Sequence, residues 1–307
     1  LLVGCSQIPA LNKLYPKDNV TVPVQNVSAP VVNSTNQTNS TPLPPPEPIL
    51  IVPPLHPGNL TIYYIDVGQG DAALVVGPSN NTMLIDCGPT EAGSKVVQFV
   101  RDLGFASVDM LVVSHLHEDH IGGCPVEIFK LKPKKIYDNG NIATTNTYNN
   151  YKLAWNNSHI AVAQDQQFEF DLLSAFFYIP YDDGGGYSSN ENDNSVLVKL
   201  IYGSKSFLFT GDCEGDCESR VINADLKAGV LKVGHHGSKT SSSALFLNSV
   251  QPTTAVISAG VGNQYGHPHA ETLEKLKQRS IATYRTDQDG TIVITTDGQT
   301  IGVEKVK

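Results

Sequence analysis

Residues 115–120 read His115-Leu116-His117-Glu118-Asp119-His120, and no other segment constrains the chain as strongly. Three imidazoles and the Asp119 carboxylate in so short a stretch form a metal-ligand cluster; neutral imidazole and carboxylate suit Zn, Mn or Fe. The preceding run, Val108-Asp109-Met110-Leu111-Val112-Val113-Ser114, is apolar and β-branched enough for a buried strand. The cluster is therefore expected where a strand ends and a loop begins. A single loop histidine would say little. This spacing behind a buried strand predicts a site completed by ligands from other strand ends.

Three later stretches offer such ligands. Thr210-Gly211-Asp212 follows the apolar run 206–209, His235-His236-Gly237-Ser238 follows 230–233, and Tyr265-Gly266-His267-Pro268-His269 precedes a predicted helix over 270–278. An Asp after a strand is most often a turn former. Three clusters of this kind in one chain favour a composed site.

The elements around them are legible from periodicity. Residues 60–67, 72–76 and 82–85 alternate with turn signals between them and read as a β-meander. Val96, Val97, Phe99, Val100 and Leu103 recur as a helix face over 94–103. Residues 138–167, rich in Asn, Thr and Tyr, read as an irregular insertion or lid, and Gly184–Gly186 as a flexible loop. Segments 195–201 and 205–210 form a hairpin around Gly203, 230–233 and 254–258 are short strands, and 292–295 and 301–306 close the chain as strands. The order suggests two βα halves stacked sheet to sheet with helices outside.

A net charge of −9 argues against sequence-independent binding of nucleic acid by a basic face. It leaves a phosphodiester substrate open, because bound cations can dominate the field of a site. The run Lys130-Leu131-Lys132-Pro133-Lys134-Lys135 reads as a solvated loop, with guidance of a polyanion as the alternative. No apolar run reaches the length of about 18 residues that a spanning helix needs.

The start of the chain points outward. Leu1-Leu2-Val3-Gly4-Cys5 resembles a lipobox, with Cys5 as the lipidated residue, so residues 1–5 are expected to be the remnant of a lipoprotein signal. Residues 6–59 are Asn-, Thr-, Ser- and Pro-rich and are expected to be a disordered linker or stalk. Asn19, Asn26, Asn33, Asn36 and Asn39 lie there in glycosylation sequons, with others at Asn59, Asn80 and Asn156. These features predict an extracellular-face lipoprotein or a secreted protein, tethered to the membrane through Cys5. Cys87, Cys124, Cys213 and Cys217 form an even set that permits disulfides there; Cys213 and Cys217 are close enough to pair, and the rest of the pairing stays open.

Several stretches together resemble a known family: YYIDVGQGDAALV from Tyr63, MLIDCG from Met83, VVSHLHEDHIGG from Val112, NSVLVKL from Asn194, FLFTGD from Phe207, LKVGHHGSKTSSS from Leu231 and NQYGHPHAETL from Asn263. The chain resembles the metallo-β-lactamase fold hydrolases, and more narrowly the C-terminal domain of ComEC-type DNA-uptake competence proteins. The resemblance implies an α+β fold for residues 60–307, a four-layer αβ/βα sandwich of the metallo-β-lactamase type. By that resemblance His115 and His117 belong to a first metal position and Asp119 and His120 to a second. Asp212 is the bridging carboxylate, and His235 or His236 the last ligand of the second position. The superfamily usually supplies a further histidine to the first position ahead of the bridging Asp. Here that region reads Asn190-Glu191-Asn192-Asp193-Asn194-Ser195. Asn194 or water could complete the position, and the choice between one ion and two, Zn or Mn, stays open. Asp71 and Asp86 are expected to buttress the ligands, Asp119 and His267 to act on the reacting groups, and Ser238 and Lys239 to hold phosphate.

The implied function is metal-dependent hydrolysis, foremost by a phosphodiesterase or nuclease acting on extracellular DNA. Other hydrolases of the superfamily are the first alternative: a phosphorylcholine-type esterase, a lactonase or, least favoured because the third histidine is missing, a β-lactamase. A non-catalytic tethered binding protein is the second.

Overall fold

The computed structural model describes residue 55 and residues 57–155, 158–180 and 186–307. The expected lipidation site at Cys5, nearly all of the expected stalk and part of the Gly184–Gly186 loop lie outside them.

The chain first lays down β1 (Leu60–Tyr64), β2 (Ala73–Val76), β3 (Thr82–Ile85), β4 (Met110–Val112), β5 (Lys135–Asp138) and β6 (His159–Ala161). A second sheet follows: β7 (Gln166–Phe170), β8 (Leu173–Tyr178), β9 (Leu197–Tyr202), β10 (Lys205–Phe209), β11 (Val230–Lys232), β12 (Thr254–Ile257) and β13 (Ala282–Arg285). Then β14 (Thr291–Thr296) and β15 (Ile301–Val306) return to the first sheet, where β14 pairs antiparallel with β1. The spatial orders are β15-β14-β1-β2-β3-β4-β5-β6 and β13-β12-β11-β10-β9-β8-β7.

Strand alternation explains the layers. Ile62, Val75, Ile85 and Val112 point from the first sheet into one apolar layer with Val198, Phe207, Phe209, Val230 and Val256 of the second. The opposite face of the first sheet, with Tyr63, Leu74, Leu84 and Leu111, is covered by α1 (Gly93–Asp102) and α3 (Cys124–Leu131) through Val96, Val100, Ile128 and Leu131. The outer face of the second, with Leu208, Leu231 and Ile257, is covered by α5 (Gly215–Val221), α6 (Ala244–Val250) and α7 (Ala270–Gln278). The central strands are buried on both faces, which is why β3, β4, β11 and β12 read as apolar runs without alternation. The result is the four-layer αβ/βα sandwich that the resemblance implied.

Residues 138–167 are more regular than expected. Asn146–Ala154 is a helix, α4, whose N-cap Thr145 hydroxyl accepts from the Tyr148 amide at 3.1 Å. Its inner face is made of Tyr148 and Tyr151, with Trp155 against it, rather than of aliphatic residues, and β6 and β7 carry exposed residues. An apolar pattern built from tyrosines on a polar background is faint in the sequence. The basic run is not a free loop either: Lys130 and Leu131 end α3, Lys134 pairs with Asp109 at 2.6 Å, and Lys135 opens β5. Among the described residues no helix is long and apolar enough to cross a membrane.

Candidate metal centre

The C-terminal ends of β3, β4, β10 and β11 meet at one rim, and the turns leaving them carry the acidic and imidazole groups. After β4 the chain enters the cluster through Ser114 and His115, and Glu118–Ile121 forms the short helix α2. Asp212 follows β10 across Gly211, whose φ of 50° and contact with Ser114 leave no room for a side chain. His235 and His236 follow β11 in a tight turn, Gly234–Gly237, whose backbone is not helical at either histidine. Both have positive φ, 47° and 51°. Non-glycine residues held there cost about 1–3 kcal/mol each. Strand alternation could not decide which of the two rings faces the site, because neither belongs to the strand.

Asp119, His120, Asp212 and His236 offer ligand atoms that all lie within 4.8 Å of one another. Of the two histidines between which the sequence left the choice open, His236 lies in this group and His235 does not. His120 Nε2 stands 3.2 Å from Asp212 Oδ1, and His236 Nε2 stands 3.5 Å from the same oxygen and 3.1 Å from Asp119 Oδ2. His115 Nε2 lies 3.1 Å from His117 Nδ1 and 3.9 Å from the other oxygen of Asp212, Oδ2. His235 Nε2 lies 3.8 Å from that same Oδ2.

Outer partners hold each ring. His120 Nδ1 is 2.9 Å from Asp86 Oδ2, and Asp86 also accepts from the Ser114 amide at 2.7 Å and the Ser114 hydroxyl at 2.9 Å. His236 Nδ1 faces the Ser258 carbonyl at 3.1 Å and Asp71 Oδ1 at 3.3 Å. His235 Nδ1 faces Glu214 Oε1 at 2.7 Å. Fixing one ring nitrogen in this way sets the tautomer and aims the other. Asp71 in turn pairs with buried Lys232 at 2.7 Å. Burial alone would raise the Asp71 carboxyl, but Lys232 and His236 outweigh it and hold it at about 2.

The residues fit a divalent cation. Burial disfavours charge on His120, yet Asp212, Asp86 and Asp119 overcome it and raise its pKa well above the usual imidazole value. His236 is pushed up to about 10 in the same way: burial opposes, while Asp212 and Asp71 prevail. Asp212 is held well below the carboxylate range, because His236 and His120 outweigh its burial. Such a cluster of carboxylates demands positive charge. His120 Nε2 and Asp212 Oδ1 are buried without a well-aligned hydrogen bond, as is left when ligand atoms converge on an ion.

Other sequence-predicted residues divide. His267 is buried beside the cluster, its ring centroid 5.1 Å from that of His235, with Nδ1 lacking a hydrogen-bond partner. Burial and the neighbouring rings of His235, His236 and His269 bring its pKa down to about 4. Lys239 is exposed. The Ser238 hydroxyl faces Thr240 Oγ1 at 2.8 Å and is not free to serve phosphate alone. Asn194 does not reach into the cluster as a ligand: its Oδ1 accepts from the Ser188 amide at 2.7 Å, and its Nδ2 donates to Glu191 and to the Ser188 carbonyl. Glu191 accepts from the Leu116 amide at 3.0 Å, so this turn braces the ligand loop from outside. His159, the only other histidine between the motif and Asp212, pairs with Asp138 at 2.9 Å and stacks on Trp155. Lys232, Glu191 and Glu214 escaped the sequence reading. Only Lys232 carried a signal, as a lone cation within the apolar run Val230–Val233.

The sequence profile of the metallo-beta-lactamase superfamily matches residues 65–261. The chain belongs to this superfamily. ComE operon protein 3 of Bacillus subtilis is 33% identical over 255 residues, 74% of this chain and 32% of that protein. Competence protein ComA of Neisseria gonorrhoeae is 30% identical over 231 residues, 74% of this chain and 31% of that protein. The chain thus spans about a third of the length of these curated relatives, which are competence proteins of the ComEC type. The metallo-beta-lactamase fold protein YhfI from Bacillus subtilis superposes with a TM-score of 0.53 at 15% identity, covering 78% of this chain and 99% of that one. At that identity the likeness concerns the fold. Superfamily members are generally metal-dependent hydrolases, and the His/Asp groups above are this chain's candidate metal ligands.

Proposed function

We propose that the protein is a metal-dependent phosphodiesterase that cleaves DNA on the outer side of the cell membrane. The observation that carries the reading is the compact Asp119–His120–Asp212–His236 group, set in a chain whose relatives are competence proteins. A divalent ion, Zn or Mn, would supply Lewis acidity toward a phosphoryl oxygen and make water acidic enough to act as a nucleophile near neutral pH.

The chain's own residues do the rest. Asp119 has a part-exposed carboxylate anchored by His236, and His120 and His236 keep it ionised against its burial, so it can orient the attacking water. His267 is neutral near pH 7 and has a free Nδ1, which suits it to the leaving oxygen. Exposed Lys239 would be available to a flanking phosphate. Asp86 and Asp71 keep His120 and His236 aimed inward. Support for the outer location comes from the lipobox-like start and from the disulfides Cys87–Cys124 and Cys213–Cys217, which persist in oxidising compartments.

The test strips the full chain of metal, restores Zn or Mn, and follows plasmid nicking beside hydrolysis of a lactone and a β-lactam. Nicking should return with metal and fall more than about 100-fold in Asp119→Ala and His120→Ala, beyond the usual cost of losing an outer partner of a ligand. Nicking that survives both substitutions, or turnover of the lactone or β-lactam alone, would defeat the reading.

A further inference from the structure

Three cations and an exposed aromatic ring meet at the end of the fold away from the metal rim. Arg101 lies in the last turn of α1, Lys130 in the last turn of α3, and Lys132 caps α3 in a left-handed conformation. With Ile128, Phe129 and Pro133 they line a cleft of about 740 Å³. We propose that this cleft is a groove for single-stranded nucleic acid, a second site that holds the strand whose phosphodiester reaches the metal centre. The inference rests on the reading that DNA is the substrate, and it adds where the rest of the strand is held.

Charge is the first support. Arg101, Lys130 and Lys132 are exposed, and among the described residues none of the three forms an ion pair, whereas nearby Lys134 pairs with Asp109 at 2.6 Å. Asp102, beside Arg101, is engaged by Gln98 Nε2 at 2.6 Å. In a chain of net charge −9 these cations make a local positive field around one cleft. Cations at the ends of α1 and α3 also complement the helix dipoles. That role asks for neither a cleft nor an aromatic ring at its edge.

Phe129 supplies the second support. Its side chain is 63% exposed, although Ile128 and Leu131 on the same helix are buried, and Lys130 Nζ lies 5.3 Å from the ring centroid. A ring among cations is what a single-strand groove combines: a base stacks on the ring while the cations meet its phosphates. The Arg101 guanidinium can take a phosphate through two parallel hydrogen bonds. Shape narrows the occupant. An exposed Phe flanked by lysines on a convex face would suit a lipid headgroup layer, but these residues line a concavity. Its volume is that of a small-molecule pocket and suits a few nucleotides. In a duplex the bases stack on one another and are not available to Phe129.

Position connects the cleft to the site. Lys132 and Pro133 lead into the start of β5, and its parallel neighbour β4 leads at the other end into His115. Five residue steps of about 3.3 Å separate the start of β4 from His115, or about 16 Å. A strand that reaches both places therefore holds at least about five nucleotides, at about 3.4 Å each.

Fluorescence anisotropy tests this on the full chain with a chelator present, using a labelled single strand of about 15–20 nucleotides, longer than the separation of the two places. Three phosphate contacts should give log K a slope near −2 against log salt, at about −0.7 per contact. Arg101→Ala and Lys130→Ala should each reduce that slope by about 0.7, and Lys130→Arg should restore it. Phe129→Ala should weaken binding about fivefold or more and leave the slope unchanged, because stacking releases no counterions. Circular dichroism checks each variant, and Lys132→Gln, at another exposed side chain, repeats the slope measurement if Arg101→Ala does not fold. Equal slopes in wild type and Lys130→Ala, or full affinity in Phe129→Ala, would overturn the inference. So would tighter binding of a duplex of the same length, or displacement of the strand by a free mononucleotide at the same nucleotide concentration. Binding to phosphatidylglycerol vesicles that depends on Phe129, with strand binding that does not, would assign the cleft to a membrane surface instead. A wild type that nicks plasmid with metal yet binds no strand would sink the groove alone. Strand binding without any metal-dependent nicking would sink the functional reading and leave the groove as a binding site.

Discussion

Asp86 and Asp109 stand at opposite ends of the parallel pair β3 and β4, and position decides what each carboxylate does. Asp86, at the rim, holds Ser114 and His120. Asp109, at the far end, accepts from the Thr82 amide at 2.9 Å and pairs with Lys134 at 2.6 Å, tying the starts of β3, β4 and β5 together. Burial would raise the Asp109 carboxyl, but the hydrogen bonds from Lys134 and Thr82 prevail and lower it. A folded-state pKa below the unfolded value of about 3.9 adds stability above that pH, and the gain is lost as pH falls through the folded value. Asp109→Asn should therefore cost about 1 kcal/mol near pH 7, since Lys134 is largely solvent-screened. Urea unfolding at pH 7 and near pH 3 checks it: the gap between wild type and variant should close at the lower pH. A gap of equal size at both would mean the clamp works through shape rather than charge.

At the scale of elements, the loop between β1 and β2 is built to touch the ligand loop. Gly70, with φ of 141°, sits where a Cβ would collide with the Asp119 carbonyl, and the Asp71 amide donates to that same carbonyl at 3.1 Å. Gly70→Ala should displace Asp119 while leaving both sheets in place, lowering metal affinity by about tenfold or more with an unchanged far-UV spectrum. An unaltered metal titration would show that the loop yields without moving the ligand. Contacts of this kind explain what the sequence could reveal. The strand-end ligands were legible because a buried apolar run followed by His or Asp is a local pattern: β4 before His115, β10 before Asp212, β11 before His235. Glu214 and Glu191 were not, because they act across the fold and look in sequence like ordinary surface charges, and Lys232, a lone cation in an apolar run, gave no sign of the Asp71 that it pairs with. The choice between His235 and His236 was unreadable for a different reason: it turns on two left-handed residues that no periodicity encodes. Helix α4 was hidden by its tyrosine-lined face.

Across the whole molecule, each disulfide lies next to an aspartate of the rim. Cys87 follows Asp86 and bonds to Cys124, at the start of α3, so the bridge spans 37 residues and encloses the whole ligand loop. The Cys87 amide also donates to the His120 carbonyl at 2.8 Å. Cys213 follows Asp212 and bonds to Cys217 within α5, across only 4 residues. Chain-entropy reasoning assigns about 4 kcal/mol to the long bridge and about 2 kcal/mol to the short one. Replacing Cys87 and Cys124 by Ser should thus lower the unfolding free energy about twice as much as replacing Cys213 and Cys217, as read by guanidinium unfolding. The two should also part in metal retention. The long bridge holds the loop that carries His115, His117, Asp119 and His120, so its loss should ease chelator stripping of the cluster at denaturant concentrations where both sheets remain folded. The apolar layer between the sheets, from Ile62 and Val112 to Phe207 and Val256, does not depend on either bridge. If the long-bridge variant kept its metal as firmly as wild type up to global unfolding, the ligand loop would be held by that layer and by Asp86 alone, and the disulfide would serve the unfolded chain only.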